Sequence, residues 1–316
     1  MEIPYKKLSI EIEAIDPLIM PTYKGSTIRG GFGNVFRRIV CAFKNKECSE
    51  CMLNASCIYA YVFETHPGDG SHIMHMNKYE KVPHPFVIEP PLNEQRFYNP
   101  GDIFTVGLVL IGDATDYVPY FIYTFVELGK AGIGKGRGKF KLRNVSEDGK
   151  EIYSHKTEMI KATDSSSLHI PENLTATESN NLKKGTLKLR FITPVRILYN
   201  RKLTSHLEFH VLMRQLLRRI ALLYYFHCGK NSPVWDHKAI LQKAESVVVK
   251  ENNLKWHDWE RYSARQQVRM KLGGLVGDVV YSGSVLPFLP YVKAGEIFHV
   301  GKGTSFGLGK YEVELL

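Results

Sequence analysis

Two glycine-rich segments, "GIGKGRGKFKL" at residues 132–142 and "HVGKGTSFGLGKYEVELL" at residues 299–316, indicate how this chain of 316 residues is organised. Each contains Gly-Lys-Gly, a short spacer and Gly-Lys before an aromatic residue, and each continues as an alternating stretch that predicts a strand. Each also follows an apolar, aromatic-rich segment. A local pattern that recurs at a wide interval predicts a duplicated domain.

The spacing of these glycines does not fit a nucleotide site. A dinucleotide fingerprint requires G-x-G-x-x-G between a strand and a helix, and a phosphate-binding P-loop also opens a helix. The second segment instead reads G-x-G-x-x-x-G-x-G and leads into the alternating stretch "KYEVELL". We therefore expect no mononucleotide or dinucleotide site at either segment.

The length and composition favour two domains of ordinary size. A chain of 316 residues with a hydrophobic fraction of 44% can form two hydrophobic cores. No apolar run approaches the roughly 20 residues that span a membrane, and the start of the chain lacks the layout of a signal peptide. We expect a soluble, cytoplasmic protein with no membrane partner.

The positive charge is concentrated in one part of the chain. The net charge is +10, and residues 185–316 contain 20 Lys and Arg against 10 Asp and Glu. The whole excess lies there, because residues 1–150 contain 18 against 17 and residues 151–184 contain 4 against 5. Such asymmetry is typical of a polyanion-binding protein, and the lack of a basic amphipathic anchor favours nucleic acid over a membrane. The alternative is a basic surface that only maintains solubility.

Four of the five cysteines, Cys41, Cys48, Cys51 and Cys57, lie within 17 residues. Clustered thiols in a protein expected in the cytoplasm indicate a metal site rather than disulfides. Cys48 and Cys51 form the two-residue knuckle that is usual in zinc sites, although the other two spacings are looser. We predict a structural zinc ion bound by the four thiolates, with an iron–sulfur cluster or unliganded buried thiols as the alternatives.

The first 150 residues predict the order strand, helix, strand, strand, helix, strand. The alternating stretch "KKLSIEIEAI" predicts the first strand, and "GSTIRGGFGNVFRRIVCAF" has apolar residues at helical spacing. The cysteines and a long histidine-bearing loop precede the predicted strands "FVIEP" and "DIFTVGLVLIG". The predicted helix "ATDYVPYFIYTFVELG" and the first glycine segment complete the unit.

The same order recurs in residues 185–316, from "GTLKLRFITPVRI" to the second glycine segment. The helix "SHLEFHVLMRQLLRRIALLYYFHC" is followed by a helical insert, a hairpin from "NLKWHDWERYS" to "MKLGGLVGDVVYSG", and an apolar helix. Residues 151–184 are polar and aperiodic, which indicates a linker or a long hairpin. We predict an α+β fold of two tandem ferredoxin-like (RRM-like, βαββαβ) domains at residues 1–150 and 185–316, each ending in a glycine-rich loop.

Five stretches of the chain carry a family resemblance: "STIRGGFG", "PHPFVIEPP", "ELGKAGIGKGRG", "WERYSARQQVRMKLGGLVGDV" and "HVGKGTSFGLGKY". Each alone is a weak indication, but together they are specific, and they extend over nearly the whole chain. The chain resembles the CRISPR-associated repeat-processing endoribonucleases, which belong to the superfamily of repeat-associated RNA-binding (RAMP) proteins.

The resemblance implies a function in which precursor CRISPR RNA is cut within each repeat without a metal, leaving a 2′,3′-cyclic phosphate and a 5′-hydroxyl. The expected partners are this repeat RNA and other subunits of a CRISPR complex. Glycine lets backbone amides approach phosphates, and interleaved lysines add charge, so we expect the RNA to run along the glycine segments. The residues expected to bind RNA are Arg261, Arg265, Arg269, Lys271, Gly301, Lys302, Gly303, Lys135 and Arg137.

Metal-free cleavage of RNA needs a base for the 2′-hydroxyl, an acid for the 5′-oxygen and a cation for the phosphorane. The catalytic histidine of relatives often follows the first helix, and the pKa of histidine suits both proton transfers. In the corresponding segment we expect His72 and His75 to be catalytic, with Lys78 as the cation. His66 lies in a turn and His84 lies between prolines, which makes both weaker candidates.

Tyr23, just before the first predicted helix, is expected to orient this catalytic site, and no cofactor is expected to take part in cleavage. The alternative function is that of a catalytically silent subunit, which binds guide RNA within an interference complex. A nucleotide-binding signalling enzyme on the same scaffold would need a metal-binding carboxylate pair such as adjacent aspartates, and the sequence contains none.

Overall fold

The fold is described from a computed structural model. It describes residues 1–43, 46–65, 82–172, 174, 184–200, 202–229, 233–258, 260–263 and 268–316, with the backbone alone for 260–263 and 268–271. These residues form two compact units. The N-terminal unit comprises Pro4–Ser166 and Phe226–Cys228, and the C-terminal unit comprises Met1–Ile3, Ser167–Tyr225 and Gly229–Leu316.

The chain is a mixed helix and sheet protein, as the sequence predicts. Its strands are β1 (Glu2–Ala14), β2 (Leu18–Ile19), β3 (Phe86–Glu89), β4 (Phe97–Tyr98), β5 (Ile103–Ile111), β6 (Phe140–Glu147), β7 (Lys150–Ser154), β8 (Ser166–His169), β9 (Gly185–Val195), β10 (Leu198–Tyr199), β11 (Lys202–Leu203), β12 (Val248–Asn252), β13 (Lys255–His257), β14 (Glu260–Ser263), β15 (Val268–Lys271), β16 (Gly274–Gly283) and β17 (Tyr311–Leu315). Its α-helices are α1 (Gly25–Val40), α2 (Val118–Ala131), α3 (Phe209–His227), α4 (His237–Ala244) and α5 (Leu289–Phe298). None of the helices in the described ranges is both long enough and apolar enough to cross a membrane.

The N-terminal unit is built on an antiparallel sheet with the strand order β3-β5-β1-β6-β7. β1 lies in the middle of this sheet, and its alternating side chains Leu8, Ile10 and Ile12 are buried in the core. Ile10 lies opposite Val106 on β5 and Val145 on β6, so the three strands present one continuous apolar face. Helices α1 and α2 contribute to the core on this face.

Phenylalanines from both helices form the centre of this core. Phe32 of α1 is fully buried, and its ring centroid lies 5.3 Å from that of Phe121 and 5.0 Å from that of Phe125, both on α2. Phe36, one turn further along α1, lies 5.6 Å from Phe32. Phe63, from the short helical turn before residue 65, packs against both α1 rings. The helical spacing of the apolar residues in α1 therefore serves to build one aromatic cluster.

Part of the segment 151–184 belongs to the N-terminal unit. β7 pairs with β6, and Lys6 of β1 donates from Nζ to the carbonyls of Thr163 at 2.8 Å and Asp164 at 3.0 Å. The same Nζ lies 3.3 Å from Oε2 of the buried Glu147, which also accepts a hydrogen bond from Thr163 Oγ1. A buried lysine thus pairs with a buried carboxylate through Oε2, and the two side chains hold this part of the segment against the sheet.

The C-terminal unit is built on a second antiparallel sheet with the order β12-β16-β9-β17, and β13 also pairs with β16. Leu189 in the middle of β9 lies opposite Val279 on β16 and Val313 on β17. Helix α3 packs on this sheet, with Phe209 at 5.0 Å from Tyr281 between ring centroids. Apart from inserted elements, this unit repeats the order strand, helix, two strands, helix, strand.

We expect Phe32→Ala to lower the free energy of unfolding by about 3–5 kcal/mol, because it removes a fully buried ring from a stacked aromatic cluster. Tyr123→Ala, on the exposed side of α2, is the matched control and should change that free energy by less than about 0.5 kcal/mol. Urea denaturation followed by circular dichroism measures both. Equal stability of Phe32→Ala and wild type would show that this cluster is not the centre of the core.

Candidate nucleic-acid interface

The first glycine loop, residues 132–138, lies against the segment that follows β1. The amide of Lys135 donates to the carbonyl of Ile19 at 2.9 Å, and the amide of Ile133 donates to the carbonyl of Gly138 at 2.9 Å. The first bond docks the loop and the second closes the loop on itself. The chain therefore passes from α2 to β6 with its backbone held beside the end of the first strand.

The second glycine loop, residues 299–310, has the corresponding position in the C-terminal unit, against the end of β9. The amide of Lys302 donates to the carbonyl of Arg196 at 2.9 Å, and the amide of Gly309 donates to the carbonyl of Pro194 at 3.1 Å. In both units, the loop after the last helix docks through backbone amides at or just beyond the end of the first strand. The two sequence motifs thus have the same local connectivity.

Glycine is required at particular positions in these loops. Gly134 has φ 76°, and a Cβ there would lie 2.4 Å from the carbonyl oxygen of Ile19. Gly301 has φ 89°, and its Cβ would lie 2.6 Å from the carbonyl oxygen of Arg196. Any side chain would be strained at these φ angles and would separate the docked backbones. The close approach explains why the motif contains glycine where the loop meets its own unit.

Basic side chains of the loops face solvent. Lys135 and Arg137 of the first loop and Lys302 of the second are exposed, while the amides of both lysines are bonded inward. Exposed cations on a rigid backbone suit contact with phosphates, which carry no sequence information. The loops therefore present a surface that can bind the backbone of a nucleic acid.

A buried arginine holds the start of the second loop. Arg219 of α3 donates from Nε to the carbonyl of Phe298, the last residue of α5, at 2.9 Å. Burial lowers the pKa of Arg219 to about 9, so the group stays charged at neutral pH, and a cation at the C-terminal end of a helix is favourable. The next residue, His299, is buried, with Nδ1 3.1 Å from the carbonyl oxygen of Leu308. The start of the loop is thus held in place before Lys302 is reached.

The hairpin with the predicted RNA-binding arginines is described by its backbone. β14 and β15 pair antiparallel, and by register Arg261 belongs to one face of the pair, whereas Arg269 and Lys271 share the other. Arg265 lies outside the described residues. Contact of these four residues with RNA stays a prediction.

The predicted catalytic residues His72, His75 and Lys78 lie outside the described residues. Tyr23 immediately precedes Lys24, the residue at the start of α1, and both side chains are buried. Burial raises the pKa of the Tyr23 phenol, so this group stays protonated, and it lowers the pKa of Lys24, whose Nζ donates to a main-chain carbonyl at 2.7 Å. The burial of Tyr23 favours a positioning role over direct contact with RNA.

The structure brings together Arg29 and His84, a pair that the sequence reasoning missed. A terminal nitrogen of the Arg29 guanidinium lies 3.0 Å from His84 Nε2. Because a guanidinium can only donate, Nε2 accepts this bond and the imidazole is neutral. Arg29 also lies over the rings of Phe63 and Phe86, 5.4 and 5.8 Å from their centroids. The signal was present in the sequence, because the family-like stretches "STIRGGFG" and "PHPFVIEPP" contribute one residue each.

The four clustered cysteines, Cys41, Cys48, Cys51 and Cys57, line one small cavity in the N-terminal unit, and all are free thiols. Cys41 follows α1, and the other three lie at the ends of short 3₁₀ turns. Within the described part of the chain, no three His, Cys, Asp or Glu side chains are close enough to hold a metal ion as they stand. The four residues predicted to bind zinc are therefore gathered at one place without being at ligand distances.

Comparison with known families gives matches for both parts of the chain. Residues 3–165 match the AF_1859_N N-terminal domain, and residues 189–311 match the CRISPR-associated endoribonuclease Cas6. An uncharacterized protein from Archaeoglobus fulgidus is 24% identical over 307 residues, which cover 93% of this chain and 92% of that protein.

Solved structures share the fold. A partial Cas6-RT-Cas1–Cas2 complex matches with a TM-score of 0.59 and 15% identity over 99% of this chain, which spans 46% of that longer chain. A Cas6 product complex matches with a TM-score of 0.54 and 16% identity over 99% of this chain and 100% of that chain. Thermus thermophilus Cas6 matches with a TM-score of 0.52 and 14% identity over 99% of each chain.

The family match of residues 189–311 and the fold shared with solved Cas6 structures support a CRISPR repeat-processing protein of the Cas6 type. By its residues 3–165 the chain belongs to the AF_1859_N family, and its residues 189–311 match the CRISPR-associated endoribonuclease Cas6. The family resemblance indicated by the sequence is thus confirmed. Binding and processing of CRISPR RNA is the general role of Cas6-like proteins.

We expect Gly134→Ala to lower the free energy of unfolding more than Gly136→Ala. Both positions have positive φ, at which an alanine costs about 1–2 kcal/mol. Only at 134 would the added Cβ meet a backbone oxygen, because nothing lies within 4 Å of a Cβ at 136. Urea denaturation compares the two variants. Equal losses would contradict the docking of this loop on Ile19.

Proposed function

We propose that this protein is a metal-independent endoribonuclease that cuts precursor CRISPR RNA within each repeat and leaves a 2′,3′-cyclic phosphate and a 5′-hydroxyl. One observation carries the proposal: a chain whose residues 189–311 match the Cas6 family has two glycine loops of the same construction, each docked at or just beyond the end of its unit's first strand, with exposed cations outward. Two such loops suit a polyanion longer than one nucleotide. The charge excess in residues 185–316 supports RNA as that polyanion.

The strand orders support tandem ferredoxin-like domains as the detailed form of the fold. The four principal strands of each sheet can be numbered by their order in the chain: β1, β3, β5 and β6 in the first sheet, and β9, β12, β16 and β17 in the second. Across both sheets the strands then lie in the order second, third, first, fourth. A helix lies between the first and second of these strands and between the third and fourth, as a βαββαβ unit requires. We propose a domain boundary within residues 151–184, where the described chain passes from one compact unit to the other.

The RNA backbone is proposed to run along the outer side of the glycine loops. Lys135 and Lys302 have the same arrangement, with the amide bonded inward and the ammonium outside. Such a loop gives affinity without discrimination between sequences. Discrimination is assigned to the hairpin, because arginine can pair bidentately with base edges as well as with phosphates. Arg269 is the arginine that shares a face with Lys271 by register.

In the proposed reaction, the 2′-oxygen attacks the adjacent phosphorus and the 5′-oxygen leaves. A base takes the proton of the 2′-hydroxyl, and an acid gives a proton to the 5′-oxygen, so the reaction consumes no proton overall. We assign these transfers to His72 and His75 and the stabilisation of the phosphorane to Lys78, with Tyr23 as a positioning residue. None of these roles needs a metal ion.

His84 is a further candidate for proton transfer. Its bond from Arg29 keeps the imidazole neutral, which is the form that can act as a base. The guanidinium beside it is a cation of the kind that stabilises a phosphorane. The pair also belongs to two stretches on which the family resemblance rests.

With its own repeat RNA and excess EDTA, the wild-type protein should cut once per repeat. The double variant His72→Ala, His75→Ala should cut about 10²–10⁴-fold more slowly at unchanged affinity, because the acid and the base act only in the reaction. Single-turnover cleavage and filter binding measure the two quantities. The exposed residue His155 provides a control variant, His155→Ala, which should cut at the wild-type rate.

The cleavage rate of His84→Ala in the same assay shows whether His84, rather than His72 and His75, transfers protons in the reaction. A wild-type rate for the double variant with slow cleavage by His84→Ala would transfer the role to His84. If the double variant and His84→Ala both cut at the wild-type rate, none of these three histidines takes part in proton transfer. A wild-type protein that binds its cognate repeat in EDTA without cutting it would be a silent guide-binding subunit.

We expect Lys302→Ala to weaken binding to cognate and scrambled repeats alike, and to reduce the salt slope of the affinity by roughly one. If Arg265 or Arg269 reads a base, its replacement by alanine should reduce the difference in binding free energy between the cognate and the scrambled repeat by about 1–3 kcal/mol. Lys238→Ala, an exposed lysine on α4, is the control. Filter binding at two salt concentrations measures all four variants. Unchanged affinity in the first three would mean that the RNA runs elsewhere.

A further inference from the structure

The four clustered cysteines are brought together by local turns. The amide of Cys51 donates to the carbonyl of Cys48 at 3.3 Å, and the amide of Cys57 donates to the carbonyl of Asn54 at 3.5 Å. These two turns and the end of α1 at Cys41 all border one cavity of about 10 Å³. Three separate pieces of backbone therefore contribute thiols to a single small space.

Cations surround this space. The side chain of Arg37 lies beside Cys41, and a terminal nitrogen of its guanidinium donates to the carbonyl of Lys46 at 2.9 Å. The guanidinium also lies 5.5 Å from the ring centroid of Tyr59. The lysine itself borders the cavity. A divalent cation with four thiolates carries a net charge of −2, and neighbouring cations that donate hydrogen bonds to sulfur offset such a charge.

The size of the cavity and the ligand set favour a single ion. About one water-sized sphere fits a space of this volume, which is too small for a cluster of several irons and sulfides. Four sulfur ligands select a tetrahedral thiophilic ion, and zinc is the usual one. The thiols have to move inward to reach ligand distances, which short turns at a partly exposed surface permit.

We propose that Cys41, Cys48, Cys51 and Cys57 bind one zinc ion and that Arg37 offsets the charge of this site. The ion would join the end of α1 to the two short turns that contain Cys48, Cys51 and Cys57. The chain continues from these turns to Phe63, which packs in the core. Its role is structural and lies beyond the proposed cleavage reaction, in which it takes no part. Because the unfolded chain has no such site, the binding energy contributes directly to folding.

The metal content of full-length protein purified without chelator tests the proposal. Mass spectrometry of the metals should find about one zinc per chain in the wild type. Cys228→Ser removes the fifth cysteine, which does not border the cavity, and should keep the zinc. Cys51→Ser should lose most of the zinc and unfold at a lower temperature.

Two further measurements do not depend on the folding of Cys51→Ser. Cobalt-exchanged wild type should show sulfur-to-cobalt charge transfer and the intense visible bands of a tetrahedral tetrathiolate site. Arg37→Ala should weaken zinc affinity by about 10–100-fold, as loss of an outer partner of a metal ligand does. Arg38→Ala, the exposed next residue of the same helix, should leave the affinity unchanged.

Three results would overturn the proposal. The first is wild-type protein without zinc whose reduced form also fails to bind added Zn²⁺. The second is iron and sulfide in place of zinc, with the visible absorption of a cluster. The third is the same zinc content in wild type and Cys51→Ser. A negative result leaves the cleavage proposal standing, because no step of that reaction uses the metal.

Discussion

In both units, backbone amides of a glycine loop donate to the carbonyls just beyond the unit's first strand. Lys135 bonds to Ile19 in one unit, and Lys302 bonds to Arg196 in the other. These bonds hold the end of the last helix where the final strand can turn back and pair beside the first, as β6 does with β1 and β17 with β9. The two backbones approach so closely that there is no room for a Cβ at Gly134. The way the sheet is closed therefore requires glycine at this position.

The same constraint connects the fold to function. In each loop, the lysine whose amide docks the loop has an exposed side chain, and Arg137 of the first loop is exposed as well. The duplicated unit thus produces two exposed cationic turns as a consequence of how each sheet is closed. The match of residues 189–311 to the Cas6 family is the reason why RNA is the partner that we propose for this arrangement.

Local patterns in the sequence were enough to predict the mixed fold, the repeated loops and the family, because strand alternation, helical spacing and glycine motifs each involve neighbouring residues. Contacts between distant residues were not predictable in this way. Lys6 Nζ donates to the carbonyl of Thr163, and the Arg29 guanidinium donates to His84 Nε2. No spacing rule links the residues of either pair. The cysteine pattern predicted which four thiols line one cavity, but not the distances between them.

Photocrosslinking most directly tests the central claim that both glycine loops lie along the same RNA. Repeat RNA with 4-thiouridine at successive positions is crosslinked to the full-length protein, and the RNA-linked peptides are identified by mass spectrometry. We expect crosslinks in both residues 132–142 and residues 299–316, each reduced by excess unlabelled repeat RNA. Crosslinks confined to other parts of the chain, with neither loop labelled, would contradict the claim.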